Sequence, residues 1–160
     1  FEEQLGPCSL DLHLGNMFYS KVSKNKYLIR LVRKEDLGES IANFCKKLQI
    51  KNAYVTAIGA VESPTISYFD VKSKKFLDKT LSGDFELTSF IGNVASFENE
   101  PLLHAHLNLS DREMRVFGGH FVKARVAASI EIVLEAFDTK NSKSFNQDIG
   151  LKLWDLPQSL

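Results

Sequence analysis

The sequence predicts an α+β domain, in which a mostly antiparallel β-sheet of about seven strands carries one main helix. Two features of the chain lead to this fold class. One segment has apolar residues at helical spacing, whereas nearly all later segments alternate apolar and polar residues or are rich in β-branched ones. The chain is 160 residues long and 44% hydrophobic, which suits a single domain with its own core.

The helix is predicted after a first strand at 27–32. Asp36 and Glu39 have the spacing of a helix N-cap and its reciprocal partner. Cys45 lies on the apolar face that follows, so we interpret it as a small core residue rather than a reactive thiol. The apolar positions recur every three or four residues: Leu37, Ile41, Phe44, Cys45 and Leu48.

The segments after the helix are predicted to be strands separated by polar turns. The first of them is apolar on both faces, which is typical of a central strand. The last is the longest, and alternate positions form its apolar side: Val126, Ala128, Ile130, Ile132 and Leu134. The predicted strands are 53–61, 65–71, 75–81, 84–91, 102–109, 113–117 and 125–137.

Three stretches divide the chain. Residues 1–25 form a leader in which leucines alternate as in a strand and a lysine-rich linker follows. Residues 26–138 hold the domain. Residues 139–160 form a polar tail that we expect to dock on the domain, because a free tail would have no need of Trp154.

Composition excludes several classes of protein. The 20 basic and 20 acidic residues balance, which argues against a domain that clamps nucleic acid by charge alone. No apolar run approaches the roughly 20 residues of a membrane span. Cys8 and Cys45 form neither a disulfide framework nor a CxxC pattern, so we expect a cytoplasmic protein. Phosphate loops and nucleophile elbows are absent from the sequence.

Three of the four histidines are candidate metal ligands. His104 and His106 lie in a predicted strand whose alternation puts them on one face with Asn108. His120 ends the next segment, RVFGGH. The opposite face of the first strand is the core face: Leu103, Ala105, Leu107 and Leu109.

The register of the predicted hairpin decides whether His120 joins the other two. A two-residue loop at 111–112 places His104 opposite Gly119, and a bulge at Gly118 and Gly119 would then turn His120 to the histidine face. One more loop residue places His120 directly opposite His104. Either register brings the three imidazoles together, and the two glycines are candidates for close backbone approach.

Three convergent imidazoles with an open fourth position are typical of an accessible zinc site, although other divalent ions also bind imidazole. Asn108 and Glu131 are candidate hydrogen-bond partners of these ligands. Glu131 and Glu135 lie on the non-core face of the last strand, and no general base is evident nearby. The alternative is that the histidines are ordinary polar residues on a wet or subunit-facing surface.

Four segments of the chain resemble, in order, the PPC or "plants and prokaryotes conserved" domain across residues 26–138. They are TAIGAVESPTISYFD, ELTSFIGNVAS, LLHAHLNLSDREMRVFGGHF and ASIEIVLEAF. The resemblance implies an antiparallel sheet with a packed helix, a homotrimer, and metal binding by the matching His104, His106 and His120. It also implies an association with DNA. In plant members the DNA contact resembles the work of a separate Arg-Gly-Arg hook, which this sequence lacks.

Residues 4–18 are similar to the early strand of the dCTP deaminase and dUTPase family, without the later motifs of that family. No nucleotide chemistry follows from so short a match.

Three functions therefore remain open. The chain is a trimeric module for assembly or DNA-associated regulation, with lysines at 21–26 and 72–75 as candidate DNA contacts. Alternatively it is a metal-dependent enzyme or small-ligand binder, or an oligomerisation scaffold with a buried histidine face.

Overall fold

The computed structural model describes residues 17–156. Within this range the backbone forms one helix and nine strands, named in chain order. They are β1 (Phe18–Lys21), β2 (Lys26–Val32), α1 (Leu37–Lys47), β3 (Ala53–Asp70), β4 (Lys75–Thr80), β5 (Asp84–Phe97), β6 (Glu100–Ser110), β7 (Val116–Ala136), β8 (Lys143–Asn146) and β9 (Leu151–Trp154).

Seven of these strands form one antiparallel sheet in the order β1-β2-β7-β6-β5-β3-β4. An additional pairing of β7 with β3 joins the ends of the β7-β6-β5-β3 run, so these four strands close into a ring. The predicted α+β architecture, with seven sheet strands and one helix, is therefore confirmed.

The helix begins as predicted. The carboxylate of Asp36 accepts a hydrogen bond of 2.9 Å from the backbone N–H of Glu39, which satisfies one of the free donors of the first turn. The apolar face of α1 packs towards β6 and β7, with Leu37, Ile41 and Cys45 fully buried. Burial raises the pKa of the Cys45 thiol to about 12, so this cysteine is an inert core residue.

Two pairs of predicted strands are single long strands. The segments predicted at 53–61 and 65–71 both lie in β3, apart from residue 71. The segment predicted at 125–137 lies in β7 up to residue 136, and only residues 116–117 of the segment predicted at 113–117 belong to β7. The strand prediction for residues 113–115 is wrong, because these residues belong to the turn before β7. Register irregularities let these strands bend without leaving the sheet. The predicted inward position of Ala128 is wrong, because residues 127–129 bulge out of the pairing with β3 and leave Ala128 exposed.

Gly59 sits beside this bulge. Its φ is +148°, and a Cβ at this position would stand 2.2 Å from the backbone oxygen of Ser129 and 2.8 Å from Cα of Ile130. The absence of a side chain at Gly59 is what lets β3 and β7 approach each other here.

The segments on either side of the main part of the domain are a turn at residues 22–25 and a hairpin formed by β8 and β9. Residues 22–25 form the turn between β1 and β2, in which the N–H of Val22 donates to the carbonyl of Lys26 at 3.0 Å. The tail forms a separate β8–β9 hairpin, and Ser142 is bridged to Ser96 of β5. The leader alternation at Leu10–Leu14 and the resemblance at 4–18 fall outside the described residues, apart from 17 and 18. No helix among residues 17–156 is long and apolar enough to cross a membrane.

We expect Gly59→Ala to destabilise the fold by about 2–4 kcal/mol, because the new methyl group would meet backbone atoms that cannot move independently. Urea unfolding measures the loss. Gly83→Ala is the matched control, since Gly83 also has a positive φ, +104°, but no atom lies within 4 Å of its Cβ position. Equal losses in the two variants would contradict the close-approach role of Gly59.

Candidate metal centre

The β6–β7 hairpin positions the histidines. In β6 the side chains alternate as predicted, so Ala105, Leu107 and Leu109 are buried while His104 and His106 are exposed on the outer face. This alternation follows from the two-residue period of a strand. The burial of the three apolar side chains therefore fixes the orientation of β6, with its histidines on the opposite face.

Asp111 shapes the hairpin turn. Its Oδ1 accepts hydrogen bonds from the N–H groups of Glu113 at 3.0 Å and Arg115 at 2.9 Å, and its Oδ2 binds the Arg115 guanidinium at 2.7 Å. Met114 has a φ of +63° within this turn. Both predicted loop lengths are wrong, because this Asp-centred turn occupies residues 111–115 between the paired residues Ser110 and Val116.

The longer turn changes which histidines face each other. His120 of β7 lies directly opposite His106. The two predicted registers, which placed His120 or Gly119 opposite His104, are therefore both wrong. Pairing through Gly118 and Gly119 is regular, so the predicted bulge is absent. The expected convergence is nevertheless present. Ring centroids are 5.5 Å apart for His104 and His106, 5.3 Å for His104 and His120, and 5.4 Å for His106 and His120.

One nitrogen from each imidazole lies within 4.8 Å of the nitrogens of the other two. We call His104, His106 and His120 the histidine cluster. Its members come from two adjacent strands, so their backbone positions are fixed by the sheet ladder rather than by a loop.

The two glycines before His120 face closely packed neighbours. A Cβ at Gly118 would stand 2.5 Å from Oδ1 of Asn108, and a Cβ at Gly119 would stand 2.9 Å from the backbone oxygen of Ser67. Because Gly118 and Gly119 have no side chains, Asn108 and the backbone of Ser67 can pack closely against β7 just before His120.

Two of the three imidazoles have lowered pKa values, which favours their neutral form. Partial burial of the His104 ring lowers its pKa to about 4, and the positive charges of Lys143 and the other two histidines act in the same direction. Burial also lowers the pKa of His120, with His106 and Lys143 adding to the effect and Asp78 opposing it. Neutral imidazole has the free lone pair that a metal ion requires.

The two predicted hydrogen-bond partners lie in different places. Asn108 is beside the cluster on β6, but its Nδ2 donates to Oγ of Ser89 at 3.0 Å. Glu131 lies far along β7, opposite Arg30 of β2 and Ile58 of β3, and the structure does not bring it to the histidines. A strand as long as β7 carries its two ends to different parts of the sheet, which sequence alternation does not reveal.

The sheet register brings other polar residues to the cluster. Asn93 of β5 lies directly opposite His104, and Ser67 of β3 lies directly opposite His120. Opposite residues in an antiparallel pair share a face, with their Cβ atoms about 5 Å apart. Asn93 and Ser67 are not identifiable from the sequence, because no local motif distinguishes them. Only the pairing of their strands with the histidine strands places them next to the cluster.

The family model of the Plants and Prokaryotes Conserved (PCC) domain matches residues 19–138. The chain belongs to this family. Among the curated proteins none matches it.

Several solved structures share the fold of this PPC-family chain. A plant- and prokaryote-conserved protein from Pyrococcus horikoshii is 34% identical, with a TM-score of 0.78 over 91% of this chain and 98% of the other. A metal-containing protein from Archaeoglobus fulgidus is 33% identical, with a TM-score of 0.75 over 84% of this chain and 99% of the other. A candidate DNA-binding protein from Bacteroides thetaiotaomicron is 27% identical, with a TM-score of 0.85 over 89% and 99%.

We expect the metal-free protein to lose stability as the pH falls from about 6.5 towards 4. In this window the unfolded chain protonates His104, whereas the folded chain, with its lowered pKa, does not. The unfolded state therefore binds more protons, and the free energy of unfolding rises with pH. Urea unfolding across this window measures the slope, which His104→Asn should reduce. An unchanged slope in the variant would contradict the lowered pKa of His104.

Proposed function

We propose that the histidine cluster binds one divalent metal ion, with zinc the first candidate, and that the protein is a metal-dependent enzyme or small-ligand binder. The observation that carries this proposal is the approach of three imidazole nitrogens to within 4.8 Å of one another. Nitrogens that bind zinc at about 2.1 Å stand about 3.4 Å apart in a tetrahedral site. Rotation of the exposed His104 and His106 side chains would bring their nitrogens closer to that spacing.

Three protein ligands leave a coordination position free. Catalytic zinc sites have this composition, in which the remaining position holds water or substrate, whereas structural sites use four protein ligands. His104 and His106 are exposed, so a ligand could reach the ion from solvent. The metal-containing relative from Archaeoglobus fulgidus supports the same proposal. A bound ion would polarise a ligand oxygen or activate water.

The second candidate function is a homotrimeric module for assembly or DNA-associated regulation in the cytoplasm. The relative described as a candidate DNA-binding protein favours the DNA association. Self-association is favoured by apolar side chains that are exposed on the outer sheet face around a groove of about 780 Å³. They are Phe18, Leu28, Ile58, Ile91 and Val133.

We expect protein purified without a metal-affinity tag to contain close to one equivalent of zinc or another transition metal. The double variant His104→Ala, His106→Ala should lose it, because a single imidazole cannot hold the ion. Elemental analysis measures both. Asn108→Ala is the matched control, since Asn108 shares the strand and face but bonds to Ser89, and it should retain the metal. No metal in the parent, even after zinc is added and excess removed, would overturn the site.

We expect the parent protein to migrate at about three times its 18.0 kDa chain mass in light scattering coupled to gel filtration. Ile58→Lys should shift it towards the monomer, because a buried unpaired ammonium is costly at an apolar contact. Val71→Lys is the control, as Val71 is also an exposed apolar residue but lies outside the groove. A monomeric parent, or equal effects of the two variants, would contradict trimerisation through this face.

A salt-dependent titration with duplex DNA tests the DNA association separately. Binding through the exposed lysines at 72–75 should weaken steeply with added salt, as phosphate contacts do. Binding that is absent at low salt would remove DNA from the functions of this chain.

A further inference from the structure

The C-terminal hairpin places a buried lysine beside β5, the strand that pairs with the histidine strand β6. Lys143 begins β8 and is only 5% exposed, although lysine is among the residues least often buried. Its Nζ stands 5.2 Å from the ring centroid of Trp154, its cross-strand neighbour in β9. Lys152 of the same hairpin packs on Phe97 at 4.2 Å, and Ser142 is bridged to Ser96, so the hairpin lies against β5. Strand alternation puts Phe97 on the same face of β5 as Asn93, which lies opposite His104. The charge of Lys143 also adds to the lowering of the pKa values of His104 and His120.

Lys143 has no acidic partner in the described part of the chain. The ion pairs formed between residues 17 and 156 involve other basic side chains, and none of their hydrogen bonds involves the Lys143 ammonium. Burying an unpaired ammonium is costly, and the contact with the Trp154 ring offsets only part of that cost. A buried cation without an acceptor points to an anion that the protein itself does not supply.

Two further polar atoms near the cluster lack partners. Oγ of Ser67 and Oδ1 of Asn93 are buried and form no hydrogen bond. Both residues are cross-strand neighbours of cluster histidines, Ser67 of His120 and Asn93 of His104. Buried polar side-chain atoms are nearly always paired, so two unpaired atoms beside one site indicate groups that a ligand or a ligand-bound histidine would satisfy.

The charges and the neighbouring rings restrict the chemical class of ligand that would bind here. A divalent ion on three neutral imidazoles carries two positive charges, Lys143 adds a third, and exposed Asp78 opposite Ser67 offsets one. The ring of Phe76 packs at 4.9 Å from His120, and Trp154 packs on Lys143, so aromatic rings border the charged groups. Apolar borders strengthen electrostatic attraction to an anion.

We propose that this site takes a small oxyanion, a carboxylate or phosphate group, which binds the metal through one oxygen and the Lys143 ammonium through another. This inference rests on the proposed metal site and names the chemical class of its ligand. The buried and unpaired Ser67 hydroxyl would donate a further hydrogen bond to the anion. Oδ1 of Asn93 would accept a hydrogen bond from the imidazole of its cross-strand neighbour His104.

The test uses the full chain loaded with Co²⁺, whose visible absorption reports changes in the coordination sphere. Acetate and inorganic phosphate are titrated separately, with perchlorate at equal ionic strength as the reference. A saturable change in the spectrum with acetate, with phosphate or with both is expected, and the lower half-saturation concentration identifies which oxyanion the site prefers. Perchlorate should leave the spectrum unchanged.

Lys143→Met should keep the cobalt but weaken anion binding by about tenfold to a hundredfold, the usual effect of losing a charged hydrogen-bond donor. Lys152→Met is the matched control, because Lys152 lies on the facing strand of the same hairpin and also packs on an aromatic ring, Phe97, at 4.2 Å. Lys143→Arg, which keeps the charge, should bind the anion more tightly than Lys143→Met. Circular dichroism and the thermal midpoint verify that each variant is folded.

The outcomes separate the two proposals. Failure of the parent to bind cobalt or zinc would overturn the metal site and this inference with it. Cobalt binding without any response to either anion would overturn only the oxyanion ligand. Equal anion affinity in Lys143→Met and the parent would remove Lys143 from the site, and loss of cobalt in Lys143→Met would make it a structural support instead.

Discussion

The candidate site depends on the register between β6 and β7, which the Asp111-centred turn sets. Because strand side chains alternate, a slip of one residue would move every side chain of one strand to the other face. The turn uses both oxygens of the Asp111 carboxylate, on the backbone of residues 113 and 115 and on the Arg115 guanidinium. In the resulting register His106 faces His120, and the apolar faces of β6 and β7 both meet the core.

The closure of β7, β6, β5 and β3 into a ring fixes the positions of the histidines relative to the neighbouring strands. Each strand of the ring is paired on both sides, so His104, His106 and His120 stand on a rigid surface that also carries Asn93 and Ser67. The same closure requires β3 and β7 to come close at Gly59, where a side chain would collide with Ser129. The close approach of β3 and β7 at Gly59 is thus part of the same closed ring that holds the histidine cluster.

The tail completes the polar surroundings of the histidines. The β8–β9 hairpin docks beside β5, and its Lys152 packs on Phe97, which shares the outer face of β5 with Asn93. Partial burial, with a smaller contribution from the Lys143 charge, lowers the pKa values of His104 and His120. The domain body thus carries the histidine cluster, and the tail contributes the buried Lys143.

The sequence by itself determined the parts that local periodicity and capping chemistry encode. These include the helix from Leu37 with its Asp36 cap, the outward face of His104 and His106, and the meeting of three histidines in one hairpin. Only the tertiary structure decided the turn length, the merging of segments into β3 and β7, the exposure of Ala128, and the separation of Glu131 from the cluster. Alternation fixes which face a side chain occupies, but not which residue of a distant strand it meets. For the same reason Ser67, Asn93 and Lys143, which come from three different strands, become neighbours of the histidines only when the sheet and the tail are assembled.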